Sequence, residues 1–245
     1  MPAISIVIPV YNEEAILHAA CVDLRERLRP YGWDYEVILA ENGSRDGTLA
    51  VAAALGERDP RFRALSIGEP NYGRALRMGI REARGDLVLC DEIDLCDAAF
   101  HKAAVAILEA GLADLVIGSK LLAGSRDERP AYRRVASRAY SGLLRTALGF
   151  RGTDTHGLKA FRKRALAPIV DACVVDKDVF ASELVIRAQR AGVPWCEIPV
   201  RVMEKRPPSI ALLSRVPAVV RQVATLTWAI RVARPDDAVV RSPPR

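Results

Sequence analysis

The sequence lacks several features that would place the chain in a specialised class. Half of its 245 residues are hydrophobic, yet no stretch is long and charge-free enough to span a bilayer, which takes about 20 apolar residues. Its five cysteines are scattered without the close pairing of metal sites, so we expect reduced thiols. No basic leader precedes the short, strand-like apolar start. We therefore expect a cytoplasmic protein, with any contact at the inner face of the membrane being peripheral.

Motifs of two further functional classes are also missing. No Gly-x-Gly-x-x-Gly follows the first predicted strand, which argues against a nucleotide-dependent oxidoreductase. Aromatic residues make up only 6% of the chain and are little interleaved with basic ones, and no nucleic-acid motif is recognised. We therefore expect no nucleic-acid partner, and the formal net charge of +6 needs another explanation.

Strand-like and helix-like patterns alternate through the first hundred residues. Apolar runs at 4–10, 35–40 and 63–67 are each followed by a polar turn and a helical pattern. This alternation predicts an α/β fold, with a mostly parallel sheet flanked by helices and a ligand cleft at the carboxyl ends of the strands. The first helix is expected to follow Tyr11, with Asn12 as its N-cap.

A cluster of acids after the next apolar run, 87–90, carries the strongest chemical signal. Carboxylates at the end of a buried strand need a cation. Glu92 and Asp94 lie two positions apart, so in an extended segment they point the same way and can share one hard ion, Mg²⁺ or Mn²⁺. A solvated acidic loop is the usual interpretation of an isolated acid cluster, but the neighbouring patterns argue against it here.

Four segments, taken together, resemble the family 2 glycosyltransferases in order and spacing. They are Ile-Val-Ile-Pro-Val-Tyr-Asn-Glu-Glu from Ile6, Glu-Asn-Gly-Ser-Arg-Asp-Gly-Thr from Glu41, Tyr-Gly-Arg-Ala-Leu-Arg-Met-Gly-Ile from Tyr72 and Glu-Ile-Asp-Leu from Glu92. The segments at 154–162, 180–188 and 197–200 are similar to the branch that uses dolichyl or polyprenyl phosphate. The resemblance covers roughly residues 3 to 210 and implies a GT-A, Rossmann-like domain.

The resemblance implies a metal-dependent, inverting transfer of a sugar from a GDP- or UDP-linked donor to an acceptor, with polyprenyl phosphate favoured. Glu92 and Asp94 would hold the metal, and Asp94 is the main catalytic candidate. The implied donor-binding residues are Pro9, Tyr11, Glu13, Glu41, Asn42, Gly43, Ser44, Asp46, Gly73, Arg77 and Asp91. The implied acceptor-binding residues are Lys120, Arg133, Ser137, Asp154 and Lys159.

The acceptor decides whether a general base is needed. A polyprenyl phosphate attacks through an oxygen that is already anionic, whereas a hydroxyl group on a glycolipid or small molecule needs a base. Asp178 and Glu183 are the candidates for that base, although Glu183 is equally explained as a structural acid paired with a nearby arginine. For Arg77, contact with the donor diphosphate and a solvated helix position are both open.

Departures from the family pattern fall at the donor and metal site. The usual Asp-Asp-Gly-Ser is Glu-Asn-Gly-Ser from Glu41, and the usual Asp-Ala-Asp-Leu-Gln is Glu-Ile-Asp-Leu-Cys from Glu92 to Cys96. The sulfur of Cys96 would be a poor ligand for a hard cation. A catalytically impaired binding or scaffold protein therefore stays open as an alternative.

Basic charge is concentrated between Arg126 and Arg151, where seven arginines face two acids. A basic amphipathic helix is expected from Pro130, suited to an anionic membrane surface or a phosphate-bearing partner, or simply solvated. A second apolar stripe predicts a helix at 209–234 that lies on a membrane, packs on the domain or contacts a second subunit in a homodimer. We predict a glycosyltransferase domain at 1–208, this helix, and a disordered tail at 235–245.

Overall fold

The computed structural model describes residues 3–202 and 216–233. Short strands rich in apolar residues alternate with longer helices along the chain. The strands are β1 Ile4–Val10, β2 Tyr35–Glu41, β3 Phe62–Ser66, β4 Leu87–Cys90, β5 Leu115–Ser119, β6 Arg126–Asp127, β7 Lys159–Arg162, β8 Trp195–Pro199 and β9 Arg201–Val202. The α-helices are α1 Glu14–Leu28, α2 Thr48–Arg58, α3 Tyr72–Glu82, α4 Ala98–Glu109, α5 Ala131–Leu148, α6 Lys163–Ala172, α7 Phe180–Arg190 and α8 Val216–Trp228. Shorter helical turns are the 3₁₀ turns Arg29–Tyr31 and Lys177–Val179 and the π-helical turn Ala229–Ala233.

One mixed sheet organises the domain, with strand order β3-β2-β1-β4-β7-β5-β8. Every neighbouring pair is parallel except those of β7, which runs antiparallel to both β4 and β5. Strands β6 and β9 form a small separate parallel pair. The predicted mostly parallel α/β sheet is confirmed.

The two faces of the sheet carry two hydrophobic cores. In β1, Ile6 and Ile8 pack with α1, α2 and α4, whereas Val7 packs on the opposite side with α3 and α5 to α8. This alternation follows from the period of two along a strand. The middle of the sheet is therefore covered on both faces, as a parallel sheet requires.

The N-cap prediction for the first helix is wrong. Helix α1 begins at Glu14 after Glu13, which makes no side-chain cap. Asn12 instead adopts a left-handed conformation with φ of 53°, which Asn tolerates better than most residues. From there its Oδ1 accepts the backbone N–H of Arg45 at 2.9 Å. The side chain thus joins two loops and does not end a helix.

Helix α8 lies within the segment predicted to be helical at 209–234. Its inner side packs on the domain through Val223 and Leu226, both buried. Residues 209–215, residue 234 and the predicted tail at 235–245 lie outside the described residues. Within 3–202 and 216–233, no helix is both long and apolar enough to cross a membrane.

Candidate active site

Several loops meet at one edge of the sheet. Strands β1, β2, β4 and β5 all run in the same direction and end at this edge. Strand β7 runs in the opposite direction and begins there. Lys159, the first residue of β7, lies opposite Cys90 of β4 and Ile117 of β5. The loop that precedes β7 therefore meets the acids after β4 and the segment after β5.

The loops after β1 and β2 are joined by hydrogen bonds. The backbone N–H of Asn12 donates to Ser44 Oγ at 3.0 Å, and that of Glu13 donates to Thr48 Oγ1 at 2.7 Å. Asp46 Oδ1 accepts from the Thr48 hydroxyl at 2.5 Å, and this bond lowers the pKa of Asp46. Ser44 and Asp46 therefore shape the loops, and their contact with a donor stays a prediction.

Glu41 and Asn42 connect the same loops to β3 and α3. The Glu41 carboxylate accepts the Ser66 hydroxyl at 2.5 Å and the backbone N–H of Ser44. Burial acts to raise the pKa of Glu41, but these hydrogen bonds outweigh it and the pKa is lowered. Asn42 Oδ1 accepts the backbone N–H of Asn71. Both predicted donor residues are thus held in fixed positions.

Three other predicted donor residues lie at this edge or next to it. Pro9 lies within β1 opposite Ala40 of β2, and Tyr11 follows the strand with its side chain exposed. Gly43 has a φ of +68°, and a Cβ there would overlap the backbone of Glu69. The glycine is therefore required by both the turn and its close neighbour.

Helix α3 is fastened to the segment that precedes α7. Arg77 Nη2 donates to the carbonyl of Val175 at 2.9 Å and pairs with Asp176 at 3.2 Å. A Cβ at Gly73 would lie 2.7 Å from Cβ of Phe180, so only glycine allows this approach. The structure thus gives Arg77 a protein partner and does not leave it solvated on its helix.

The acids after β4 form a turn and not an extended segment, so the geometric argument from alternation is wrong. The backbone N–H of Leu95 donates to the carbonyl of Glu92 at 2.9 Å, which closes the turn. Burial, followed by the negative charge of Asp94, raises the pKa of Glu92 to about 7. The turn therefore still places the two carboxylates within electrostatic reach of each other.

Asp91 is committed to the protein. Its Oδ1 accepts the backbone N–H of Glu92 at 2.7 Å, and its Oδ2 lies 2.7 Å from His101 Nε2 on α4, with both side chains fully buried. Asp91 therefore links the acidic turn to helix α4. A direct contact between Asp91 and a donor stays a prediction.

Cys96 does not take the place of an oxygen ligand. Its side chain is buried in the apolar core with α1 and α4, and its Sγ contacts the carbonyl of Ile93 at 3.5 Å. In the described part of the chain, no group of three or more His, Cys, Asp or Glu is arranged to hold a metal. Glu92 and Asp94 would therefore supply only part of a coordination shell.

Two lysines, the buried Lys159 and the partly buried Lys120, face the acidic turn. Lys120 Nζ pairs with Asp154 Oδ2 at 2.7 Å, and Lys159 Nζ donates to the carbonyl of Gly157 at 2.7 Å. Burial acts to raise the pKa of Asp154, but the charge and hydrogen bond of Lys120 outweigh it and the pKa is lowered. Burial lowers the pKa of Lys159. The positive charges of both lysines also act on Glu92.

Two residues that position this site were not predicted. Glu197 accepts the backbone N–H groups of Thr153 and Asp154 at 2.7 and 3.1 Å, so it fixes the loop that carries Asp154. In the sequence, Glu197 could have been identified because it begins the Glu-Ile-Pro-Val motif. His101, the buried neighbour of Asp91, had no signal, because a lone histidine on a helix is usually an ordinary core residue.

A cavity of about 820 Å³ adjoins Lys120. Apolar side chains of α5 and α8 form most of its wall, and its polar end includes Lys120, Arg129, Ser137 and Asp154. Arg129 Nη2 donates to Ser137 Oγ at 3.3 Å. Among the described residues, Arg129 lines this cavity whereas Arg133 does not. The structure thus brings together Lys120, Ser137 and Asp154, and the role of Arg133 stays a prediction.

The contacts of the carboxylate are described for one of the two candidate bases, Glu183, and not for the other, Asp178. The buried carboxylate of Glu183 pairs with Arg187 Nε at 2.8 Å and accepts the backbone N–H groups of Val174 and Val175 at 3.0 and 2.7 Å. These contacts favour the structural alternative for Glu183. The backbone of Asp178 lies in a 3₁₀ turn, and its side chain is outside the described part of the structure.

Residues 5–169 match the sequence model of glycosyl transferase family 2. The chain belongs to this family. Its similarity to the glycosyltransferase AglD of Haloferax volcanii is 31% identity over 235 residues, which is 94% of this chain and 38% of AglD. It is also 39% identical over 101 residues to the undecaprenyl-phosphate 4-deoxy-4-formamido-L-arabinose transferase of Pseudomonas aeruginosa, covering 38% of this chain and 28% of that protein. The chain therefore spans well under half the length of these relatives.

Solved structures of glycosyltransferases share the fold of this chain. Glucosyl-3-phosphoglycerate synthase from Mycobacterium tuberculosis, crystallised with UDP, aligns with a TM-score of 0.65 and 25% identity over 93% of this chain and 79% of that one. The same enzyme with Mn²⁺, UDP and glucosyl-3-phosphoglycerate aligns with a TM-score of 0.66 and 23% identity, over 96% and 81% of the two chains. The predicted GT-A fold is confirmed.

Proposed function

We propose that this family member transfers a sugar from a nucleotide-diphosphate donor to polyprenyl phosphate, with inversion at the anomeric carbon. One observation carries the choice of acceptor: the apolar cavity along α5 and α8 ends at Lys120 and Arg129. Lys120 is paired there with Asp154, and Arg129 with Asp127. An apolar wall that ends at two such cations suits a hydrocarbon chain that carries a phosphate. The Pseudomonas relative, an undecaprenyl-phosphate 4-deoxy-4-formamido-L-arabinose transferase, supports the same class of acceptor.

The reaction follows from the charges around the cavity. A phosphate oxygen of the acceptor attacks the anomeric carbon as the bond from that carbon to the donor diphosphate breaks, so one displacement inverts the centre. No proton has to be removed, because the attacking oxygen is anionic. Lys120 would hold the acceptor phosphate, and Asp154, its partner at 2.7 Å, would hold Lys120. Orientation of the two reactants is then the main contribution of the protein.

Glu92 and Asp94 fit a divalent cation. They supply hard oxygen ligands, and the pKa of Glu92 is raised first by burial and then by the negative charge of Asp94, both of which a bound cation would offset. Mg²⁺ and similar ions often take one or two carboxylates and complete their shell with substrate phosphates and water. A bound cation would supply charge neutralisation for the leaving diphosphate. The Mn²⁺ in the mycobacterial synthase suggests Mn²⁺ as the first ion to test.

The donor would lie on the opposite side of the acidic turn, over the loops after β1 and β2. Glu41 and Asn42 are fixed there by hydrogen bonds to Ser66 and Asn71. These rigid polar groups are suited to reading the edges of a nucleobase and ribose. The UDP in the mycobacterial synthase makes a uridine nucleotide the first donor to test, and a GDP-linked sugar the second.

The alternatives lose support in the structure. A hydroxyl acceptor needs a base, and Glu183 is committed to Arg187 and backbone N–H groups, which leaves Asp178. A scaffold that lost its chemistry has no reason to keep Lys120 and Lys159 facing the carboxylates of Glu92 and Asp94. We therefore retain the enzyme with a phosphate acceptor.

Two measurements test the proposal. Calorimetry with UDP- and GDP-linked sugars, with and without Mn²⁺, should find one donor whose binding needs the ion. Transfer of radiolabelled sugar should then occur to a short-chain polyprenyl phosphate and not to the corresponding polyprenol. Binding of every donor without regard to metal would contradict the metal site, and transfer to the polyprenol alone would assign a hydroxyl acceptor.

A further inference from the structure

Helices α5 and α8 lie side by side and leave large apolar side chains in solvent. Arg231 Nη2, just after α8, donates to the carbonyl of Ala147 in α5 at 2.6 Å, which joins the two helices. On their outer side, Val135 is 61% exposed, Val220 57%, Trp228 57% and Val232 63%. Such a cluster on one face is more than the scattered apolar residues of an ordinary surface.

The exposed residues continue into the proposed acceptor cavity. A second groove of about 560 Å³ follows α8 past Trp228 and Val232. Leu143 and Val220 line both this groove and the larger cavity. An apolar trough thus runs from the exposed face of α8 towards the cationic end at Lys120.

The charge of this face has a single sign. Neither α5 nor residues 216–233 contain any Asp or Glu, although the whole chain has 30 of them. The two segments carry six arginines: Arg133, Arg134, Arg138, Arg145, Arg221 and Arg231. Arg138 and Arg221 are exposed. Arg221 lies seven residues before Trp228, so the spacing of a helix places both on one side.

We propose that the face formed by α5 and α8 docks on a bilayer surface that contains anionic lipids. Arginine paired with tryptophan and aliphatic residues is the composition of helices that lie in the headgroup region. Anionic headgroups complement two helical segments that together carry six arginines and no acids, with Arg138 and Arg221 exposed. A second copy of this chain would instead bring like charges together. The inference deepens the proposed function, on which it rests for the identity of the acceptor that the membrane would present.

Docking is tested with the full chain and vesicles that contain neither donor nor acceptor. The protein should sediment with vesicles of phosphatidylcholine and phosphatidylglycerol, less with phosphatidylcholine alone, and less in high salt. The double variant Arg138→Gln/Arg221→Gln should weaken binding by roughly fivefold for each arginine. The matched control is Arg29→Gln/Arg58→Gln, which removes two charges from the opposite side of the sheet and should bind like the parent.

Tryptophan fluorescence reports on the same face. Vesicles should shift the emission to shorter wavelength in the parent, and Trp228→Phe should abolish this shift although Trp33 and Trp195 remain. Equal binding to neutral and anionic vesicles, no binding at all, or association into dimers that excludes vesicles would overturn the proposal. Transfer to a water-soluble, short-chain polyprenyl phosphate is measured separately. Its persistence without vesicle binding would remove this inference alone, and its absence with vesicle binding would remove the proposed function alone.

Discussion

At the ends of β1 and β2, side-chain oxygens accept backbone N–H groups from neighbouring loops, whereas between α5 and α8 apolar side chains border an open cavity. In the first region, called the donor region here and comprising residues 9–14 and 41–48, Glu41 and Asn42 each bind a neighbouring backbone N–H. In the second, the acceptor region of α5, α8 and residues 118–120 and 153–159, fixed polar contacts concentrate around Lys120 and Asp154.

The difference matches the two ligands that we propose. A nucleotide has many polar groups in fixed positions, so a rigid set of hydrogen-bonding partners can select it. In a polyprenyl phosphate, only the phosphate can be recognised through directional hydrogen bonds. The hydrocarbon chain needs an apolar surface, and its contacts are not directional. The acidic turn at Glu92 and Asp94 lies where the two regions meet, within electrostatic reach of Lys120 and Lys159.

The largest expected effect comes from that meeting point. Asp94→Asn keeps the size of the side chain and removes the negative charge of a proposed metal ligand. The rate of transfer should therefore fall by at least about a hundredfold. The free energy of unfolding should change by less than about 0.5 kcal/mol, because the residue is not part of the core. A radiolabel transfer assay at saturating Mn²⁺ and a denaturant titration measure the two quantities.

A neighbouring acid gives the control. Asp97 caps α4 by accepting the N–H groups of Ala99 and Phe100, both at 3.0 Å. Asp97→Asn preserves a good cap and should retain transfer. If both variants are equally active, Asp94 is not part of the metal site. If both lose activity, charge loss anywhere in this loop disturbs the cleft and the assignment to Asp94 fails.

The next effect tests what holds the two regions together. Glu183 anchors Val174 and Val175 beside Arg77, and its partner Arg187 donates to the carbonyl of Ala229 behind the acceptor region at 3.0 Å. Glu183→Ala would remove the carboxylate partner of the buried Arg187, so the free energy of unfolding should fall by about 3–5 kcal/mol.

A surface ion pair provides the comparison for Glu183. Glu128 pairs with Arg201 at 2.8 Å, with both side chains about half exposed, so Glu128→Ala should cost no more than about 1 kcal/mol. Chemical denaturation of both variants measures the two losses in the free energy of unfolding. A Glu183→Ala protein of parental stability but without transfer activity would restore Glu183 as a catalytic base.

The donor region was predictable because its signals are local. Each of its strands is followed within a few residues by the loop that it positions, so the pattern around Glu41 to Thr48 gave strand, turn and helix in order. Helix α5 was likewise predictable from Pro130 onward by its spacing of apolar and basic residues. Even here, the left-handed conformation of Asn12 depends on Arg45 in another loop and could not be read from the helix pattern.

The acceptor region depends on pairings between distant parts of the chain. Strand β7 reverses direction between β4 and β5, and only this reversal places Lys159 beside the acidic turn. The hydrogen bonds of Glu197 to the Asp154 loop span 43 and 44 residues. The family resemblance named residues such as Asp154 and Lys159, but no local pattern indicated how they would be held or that Arg129 would line the cavity.

A smaller effect is expected from the acceptor phosphate contact. Lys120→Met should lower the efficiency with polyprenyl phosphate by roughly ten- to a hundredfold, since a charge-assisted hydrogen bond contributes about 1.5–3 kcal/mol. The donor KM should stay near its parental value. Lys102→Met, on the exposed side of α4, is the matched control and should change neither constant.

The same assay examines the sequence-based expectation for Arg133. Arg133→Ala should also raise the acceptor KM or lower turnover if this arginine contacts the phosphate. A parental rate would leave that contact to Lys120 and Arg129. A rise in the donor KM with either Lys120→Met or Arg133→Ala would show that the two regions do not act separately, which contradicts the comparison itself.

The smallest expected effect sharpens the comparison from the donor side. Asn71 Oδ1 accepts the N–H groups of Arg74 and Lys177 at 3.1 and 2.9 Å, while its own N–H donates to Asn42. Asn71→Ala removes a helix cap and should cost about 1 kcal/mol of stability. The backbone N–H that binds Asn42 remains in this variant but is no longer held in place by the Asn71 side chain, so the donor KM should rise while the acceptor KM stays constant. Asp97→Ala removes the cap of α4 at a similar cost and should change neither KM, so equal KM changes in both variants would mean that helix capping alone, and not the link to Asn42, affects the donor region.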